Sequence, residues 1–274
     1  MEGMLPNNGH FRNKTVLISG ASRGIGLSIA KKLAADGANI SAAKEIEEAG
    51  GRCLPCVVDV RSEEAVERAV DEAVKKFGGI DISNRSFRAV DMSDTLHLDM
   101  RKFDLMHAVN TRGSFLLAKK CVPHLKKSSN PHILNISPPL LLESQWFAPH
   151  VGYTISKFGM SLCVLGMSEE FRPLGIAVNA LWPRVTVYTA ALRITNPTAE
   201  AKRRSRRPEV MADAAYALLQ RPARSATGRF AIDEDVLREA GIYDFAPYAF
   251  DPTAPPQLDF FLPGVRYDEL RPKM

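Results

Sequence analysis

Cysteine is scarce, with four residues in a chain of 274. That excludes a disulfide framework and points to a reducing compartment. No apolar run reaches the ~18 residues that a membrane-crossing helix needs, so no membrane span is expected. The N-terminus, Met1 to Pro6, lacks the apolar core of a secretory signal. Charge of one sign is lacking too. The balance of 36 basic and 31 acidic residues leaves +5, too mild to imply nucleic acid as a partner. Cys53-x-x-Cys56 could be a redox or metal pair, but its surroundings read as a strand, where positions three apart face opposite sides. Two small buried residues are the better expectation, and no metal is expected.

What is present is a globular composition, 45% hydrophobic and 24% charged, on a chain long enough for one α/β domain with a full core. The chain is organised around Val16 to Gly26. Val16-Leu17-Ile18 is apolar, as a buried parallel strand should be. Gly20, Ala21, Ser22, Arg23, Gly24, Ile25 and Gly26 follow, and a helical pattern begins with Ile25, Ile29 and Leu33. Strand, glycine turn and helix together aim backbone N–H groups and a positive helix end at a phosphate.

Strands and helices then alternate. Strands are expected at 15–19, 38–42, 54–58, from 80, and at 132–137, 177–181 and 229–232. Helices are expected at 24–36, 44–49, 62–77, 101–127, 152–171 and 207–220. Such alternation implies a doubly wound parallel sheet with helices on both faces. Residues 1–13 read as a polar leader, 14–250 as the dinucleotide-binding domain and 251–274 as an irregular, proline-rich tail.

Tyr153 and Lys157 lie four apart in a helical stretch, hence on one face. A free tyrosine, with a pKa near ~10, exchanges protons poorly at neutral pH. A neighbouring ammonium favours phenolate and lowers that value, so the pair can act as acid or base toward a carbonyl or alcohol. Alone, the pair reads rather as an amphipathic helix with a lysine reaching for solvent; the residues around it reverse that reading. Ser137 at the end of the fifth strand could bond the same substrate oxygen. Asn110 sits inside a helix, against its propensity, as a residue with a polar task would.

The glycine turn, Asp59 after strand three, Asn110, Ser137 and Tyr153 with Lys157 stand in one order. In that order the chain resembles the short-chain dehydrogenase/reductases, over about Lys14 to Ile232. The resemblance implies an NADP-type cofactor, with Gly20 to Gly26 on the pyrophosphate, Asp59 at the adenine and Lys44 at the adenosine 2′-phosphate. It implies Tyr153 as proton donor and acceptor, Lys157 on the nicotinamide ribose, and Ser137 orienting a carbonyl or alcohol substrate that is lipid-related or an acyl-coenzyme A. Asn110 completes the implied catalytic set. A homo-oligomer and a peroxisomal setting are implied as well. The chain nonetheless ends in Arg271-Pro272-Lys273-Met274, not a peroxisomal tripeptide, which keeps cytoplasmic and mitochondrial settings open.

Two internal departures stand out. The second βα unit, between Gly37 and Cys53, is too short for a crossover of ~30 residues. The fourth strand carries Ser83, Asn84, Arg85, Ser86 and Phe87 where the family has an apolar strand end and Asn-Asn-Ala. Polar groups there cost several kcal/mol unless partnered. These departures favour an alternative, a catalytically impaired nucleotide-binding or scaffolding protein. The run Lys202 to Arg207 reads as a solvated, mobile loop, or as a contact for coenzyme A phosphates. Trp146, Phe147 and Trp182 either line a pocket or pack a core.

Overall fold

The computed structural model describes residues 5–42, 52–56, 58–86 and 89–270. Seven parallel strands form one sheet in the order β3-β2-β1-β4-β5-β6-β7. They are β1 (Thr15–Ser19), β2 (Asn39–Ala42), β3 (Arg52–Pro55), β4 (Ile82–Arg85), β5 (His132–Asn135), β6 (Ala177–Trp182) and β7 (Phe230–Ile232). The order reverses at β1, which pairs with β2 on one side (Val16 opposite Ile40) and with β4 on the other (Val16 opposite Ile82). Such a switch point opens a crevice at the carboxyl ends of the strands.

Alternation along β1 divides the core. Val16 and Ile18 face α1 (Gly24–Ala35) and α9 (Glu209–Leu219), joining Ile29, Leu33, Val210 and Met211. Leu17 faces the opposite layer, where α2 (Glu63–Phe77), α4 (Gly113–Leu125) and α6 (Val151–Glu170) contribute Val66, Val70, Leu116 and Val164. Local signals set the helix ends. The Ser62 hydroxyl accepts from the Ala65 N–H, Glu63 and Glu64 occupy the first turn of α2, and Gly78 closes it at φ +88°.

Several expectations need correction. The third strand lies at 52–55, not 54–58. Cys53 is buried in it, but Cys56 lies just beyond it, half-exposed and beside the Ser41 hydroxyl at 3.5 Å. The helix expected over 101–127 is α3 (Met100–Met106), a π-helical turn (His107–Arg112) and α4. Four short α-helices among the described residues were not foreseen in sequence, α5 (Ser144–Phe147), α7 (Ala190–Thr195), α8 (Ala199–Arg203) and α10 (Asp233–Glu239). The helix expected at 44–49, with Lys44, lies outside the described residues, as does Phe87.

The N-terminal segment is docked rather than trailing. The Gly9 and Phe11 N–H groups donate to the Asp36 carboxylate, and Phe11 is buried. Asp213 on α9 accepts from the Leu5 N–H at 3.2 Å and the Tyr248 hydroxyl at 2.7 Å, and pairs with Lys32 at 2.8 Å. The basic run is ordered rather than a loose loop, though Lys202, Arg203 and Arg207 are exposed. Arg203 in α8 pairs with Glu200 and Asp251, Arg204 donates to the Pro255 carbonyl, and buried Arg206 pairs with buried Glu234 at 2.6 Å. The proline-rich tail is irregular in backbone, yet Phe261 and Leu262 are buried.

Candidate active site

A cleft of about 1430 Å³ opens at the switch point, lined by Gly20, Ala21, Ser22, Ser41, Cys56 and Asp59 among others. Its floor is the turn between β1 and α1. Gly20 and Gly24 have φ of +82° and +60°, a region that glycine enters without cost. A Cβ at Gly26 would strike the Gly20 carbonyl and stand 2.9 Å from the Ser86 Cβ, so helix and turn approach as only glycine permits. Arg23, exposed, is the extended N-cap residue of α1, and Ile25 is half-buried beside it. Asp59 lies on the cleft wall with its carboxylate gripped by Arg61, whose bonds hold it at about 2.

The cleft continues past Ala89 and Val90 to Met106 and Val109. There the other candidates converge. Asn110, fully buried in the π-turn, accepts from the Ala89 N–H and donates to the Ala89 carbonyl, both at 2.9 Å. It also donates to the Ser156 hydroxyl at 3.0 Å, and Ser156 in turn donates to the Tyr153 carbonyl at 2.8 Å. Asn110 thus ties the loop after β4 to the first turn of α6.

Tyr153 is buried on that turn. One turn on, Lys157 is fully buried, donates to the Ile136 carbonyl at 2.7 Å, and places its ammonium 4.9 Å from the Trp182 ring centroid. Ile136 precedes Ser137, so the lysine links α6 to the end of β5. The Ser137 hydroxyl is buried and has no hydrogen-bond partner among the described residues. Hydrogen bonds thus tie Asn110 to the turn of Tyr153 and Lys157 to the carbonyl before Ser137, in elements that border the cleft at Met106 and Val109, while Gly20 and Asp59 line its wall.

The cover over Tyr153 was not foreseen in sequence. Phe260 and Phe261 come from the tail. Phe261 is fully buried at φ +61°, a costly conformation for a bulky residue, with its ring 6.5 Å from that of Tyr153. The Trp182 indole donates to the Phe260 carbonyl at 2.7 Å. Trp146 and Trp182 belong to this same apolar cluster, so they pack a core that borders the site. Three adjacent apolar residues, Phe260 to Leu262, were the available signal in an otherwise polar tail. His150, buried against Tyr153 at 5.7 Å between ring centroids, was also missed. A histidine before a helix carries no mark of its own in sequence.

A family model described as short chain dehydrogenase matches residues 14–200. The chain belongs to the short-chain dehydrogenase family. Hydroxysteroid dehydrogenase-like protein 2 of Danio rerio is 50% identical over 283 residues, covering 97% of this chain and 68% of that protein. Those of Homo sapiens and Rattus norvegicus are each 50% identical over 94% of this chain, with 66% and 52% of their own lengths covered. The chain thus spans between half and about two thirds of these relatives. Among solved structures, a putative dehydrogenase from Xanthomonas campestris superposes with a TM-score of 0.88 at 44% identity, covering 92% of this chain and 98% of that one. A short chain dehydrogenase from Mycobacterium thermoresistibile does so at 0.86, also at 44% identity, covering 93% and 98%.

Short-chain dehydrogenases use a nicotinamide nucleotide, and the residues present fit one. Gly20, Ala21 and Ser22 of the glycine turn line the cleft, and Gly26 lets α1 start close against that turn. The buried Ser137 hydroxyl, without a partner among the described residues, is a polar group such a complex could use.

Proposed function

We propose that the chain is an NADP(H)-dependent oxidoreductase that interconverts a carbonyl and an alcohol on an apolar, lipid-like substrate. The observation that carries this reading is that Lys157, one helical turn beyond Tyr153, donates to the carbonyl of Ile136, the residue before Ser137, just past β5. When bound, the nicotinamide supplies or accepts the hydride. Gly20 to Gly26 would bind its pyrophosphate at the start of α1, and Asp59 would border the adenine. Arg23 would pair with the 2′-phosphate.

Tyr153 holds the proton that the substrate oxygen gains or loses. Lys157, a buried cation on the same face, favours the phenolate and so brings the tyrosine toward neutral exchange. Ser137 donates to the substrate oxygen and fixes its direction. Asn110 holds the loop after β4 and α6 at fixed spacing. The cluster around Tyr153 is apolar and aromatic, which supports a hydrocarbon-rich substrate. The basic side chains of Arg203, Arg204 and Arg206 are engaged within the chain, which removes the argument for coenzyme A phosphates. Exposed Ile155, Leu162 and Leu165 on α6, with Phe115 on α4, support a homo-oligomer.

The test is a titration of the full chain with NADPH and NADH, followed by turnover of medium-chain ketones. The expected result is tighter NADPH binding and NADPH consumption with ketone. Binding without turnover would favour the second reading, an impaired nucleotide-binding protein, for which the buried Arg85 on β4 is the supporting observation.

A further inference from the structure

The candidate catalytic groups are shut away from the cleft. Tyr153 is 3% exposed, and Ser137 and Lys157 are wholly buried. None of the three is among the described residues that line the cleft. The cleft and the apolar cluster around Tyr153 share Ala89, Val90, Met92 and Met106, so these residues form the wall between them. A ketone resting in the cleft would meet this wall before the Tyr153 hydroxyl.

The tail closes the cluster from the other side. Phe260, Phe261, Leu262, Val265, Tyr267 and Leu270 all pack into it. Residues 257–270 form one closed loop, because the Gln257 side chain donates to the Leu270 carbonyl at 2.6 Å and joins its ends. Inside it, Phe260 stacks on Tyr267 at 5.8 Å between centroids, while Pro263 and Gly264 make an exposed tip. Ends held together and an interior filled by its own side chains make such a loop a self-contained surface unit. Identifiable bonds fasten it to the body. The Tyr267 N–H donates to Gln145 Oε1 on α5 at 2.9 Å, the Asp259 N–H to the Arg184 carbonyl at 2.9 Å, and the Trp182 indole to the Phe260 carbonyl at 2.7 Å.

Phe261 is the deepest part of this loop. Its ring lies 5.6, 5.4 and 6.0 Å from those of Trp146, Phe158 and Trp182, and 6.5 Å from that of Tyr153. Its φ of +61° is held only because the surroundings over-determine it. Strained positions of this kind gather at clamps and switch segments, where lifting relieves them.

We infer that residues 257–270 are a strap that keeps the site closed at rest and must lift to admit substrate to Tyr153 and Ser137, with Phe261 as its plug. The inference rests on the proposed oxidoreductase reading. Only the lifted fraction of molecules takes up a ketone, so the apparent affinity is reduced by that fraction. Loosening the strap should therefore lower KM and leave kcat unchanged. A segment that merely fills the core would show loss of stability with no such gain.

The full chain is compared with Gln145→Ala, which removes the acceptor for Tyr267, and Gln257→Ala, which opens the neck of the loop. Neither residue belongs to the proposed catalytic or cofactor-binding set. Each variant should raise the lifted fraction about fivefold, the worth of one neutral hydrogen bond. With NADPH saturating, KM for decan-2-one should fall by about the same factor at constant kcat. Hydrogen–deuterium exchange of residues 257–270 reads the strap without turnover and needs no variant. In the native chain it should quicken about threefold or more when NADPH and decan-2-one are added together. KM that is unchanged or raised in both variants, or exchange that the two ligands leave unchanged or slow, overturns the inference. Ketone turnover accompanied by either result leaves the oxidoreductase reading standing and removes the strap. Quickened exchange without NADPH consumption does the reverse, and neither quickening nor consumption removes both.

Discussion

The Arg85 guanidinium, fully buried at the end of β4, donates to the carbonyl of Val109, the residue before Asn110. A charge in the middle of a parallel sheet is thus spent on the π-turn that carries a candidate catalytic residue. Burial lowers the guanidinium to about 10, still protonated at neutral pH. Its neighbours are accommodated in the same way: Ser83 hydrogen-bonds the Cys121 thiol, and the Ser86 hydroxyl donates to Asn84 at 2.6 Å. The polar block of the fourth strand is a wired element rather than an empty defect.

Arg85→Ala should therefore destabilise the chain. It removes a large buried side chain and one donor to Val109, a change of about 2–4 kcal/mol. At ~2–4 °C per kcal/mol, the thermal midpoint falls by about 4–16 °C. A melting curve checks this, and an unchanged midpoint would show that Arg85 holds nothing in place.

Tyr153→Phe should abolish turnover, by about 1000-fold or more, with NADPH affinity nearly intact, because only the hydroxyl proton is lost. Lys157→Met should weaken both, since it removes a ribose contact and the charge that favours phenolate. Paired cofactor titrations and initial rates decide it; normal turnover by the phenylalanine variant ends the assignment.

Arg23 should set cofactor choice. Its side chain is exposed at the N-cap of α1, beside the glycine turn. Arg23→Ala should reduce the NADPH-over-NADH preference by about tenfold, the range of one charge-assisted bond, and leave NADH affinity unchanged. Equal affinities in the native chain would contradict it.

Acid should unfold the protein partly through His132. Burial in β5 depresses this imidazole to about 4, below the ordinary 6.5. The neutral form is favoured in the fold, so its contribution is complete above pH ~6.5 and is lost as pH falls from there through 4, at most roughly 3 kcal/mol. His132→Gln, which still offers a donor to the Arg221 carbonyl, should shrink the drop in melting temperature between pH 7 and pH 4.5 by several degrees.

The legible parts of the sequence were those in which local chemistry and fold agree. Val16 to Gly26 announced strand, turn and helix, and Ser62 with Gly78 bracketed α2. Tyr153 and Lys157 at helical spacing, and Ser137 after an apolar run, marked the candidate site. The rest depends on distant partners. Arg52, exposed on the edge strand, disguised the start of β3. The π-turn adds a residue to a helix whose apolar period barely changes. The fate of Arg85 depended on a carbonyl 24 positions away. Phe261 looked like part of a loose tail because its partners, Trp146, Phe158 and Trp182, come from three other places in the chain.

Asp213 has a bearing on synthesis. It receives the Leu5 N–H across 208 residues and the Tyr248 hydroxyl across 35. A ribosome delivers the first of these partners long before the carboxylate exists, and the last only after α9 is complete. Gly9 and Phe11 can meet Asp36 early, but Leu5 and Asn8 must wait for Asp213 and Tyr216 of α9, and the carboxylate gains its full set of partners only when Tyr248 has left the exit tunnel. The domain therefore closes only once Tyr248 has emerged, and a chain stalled before it would leave the Asp213 carboxylate short of one partner.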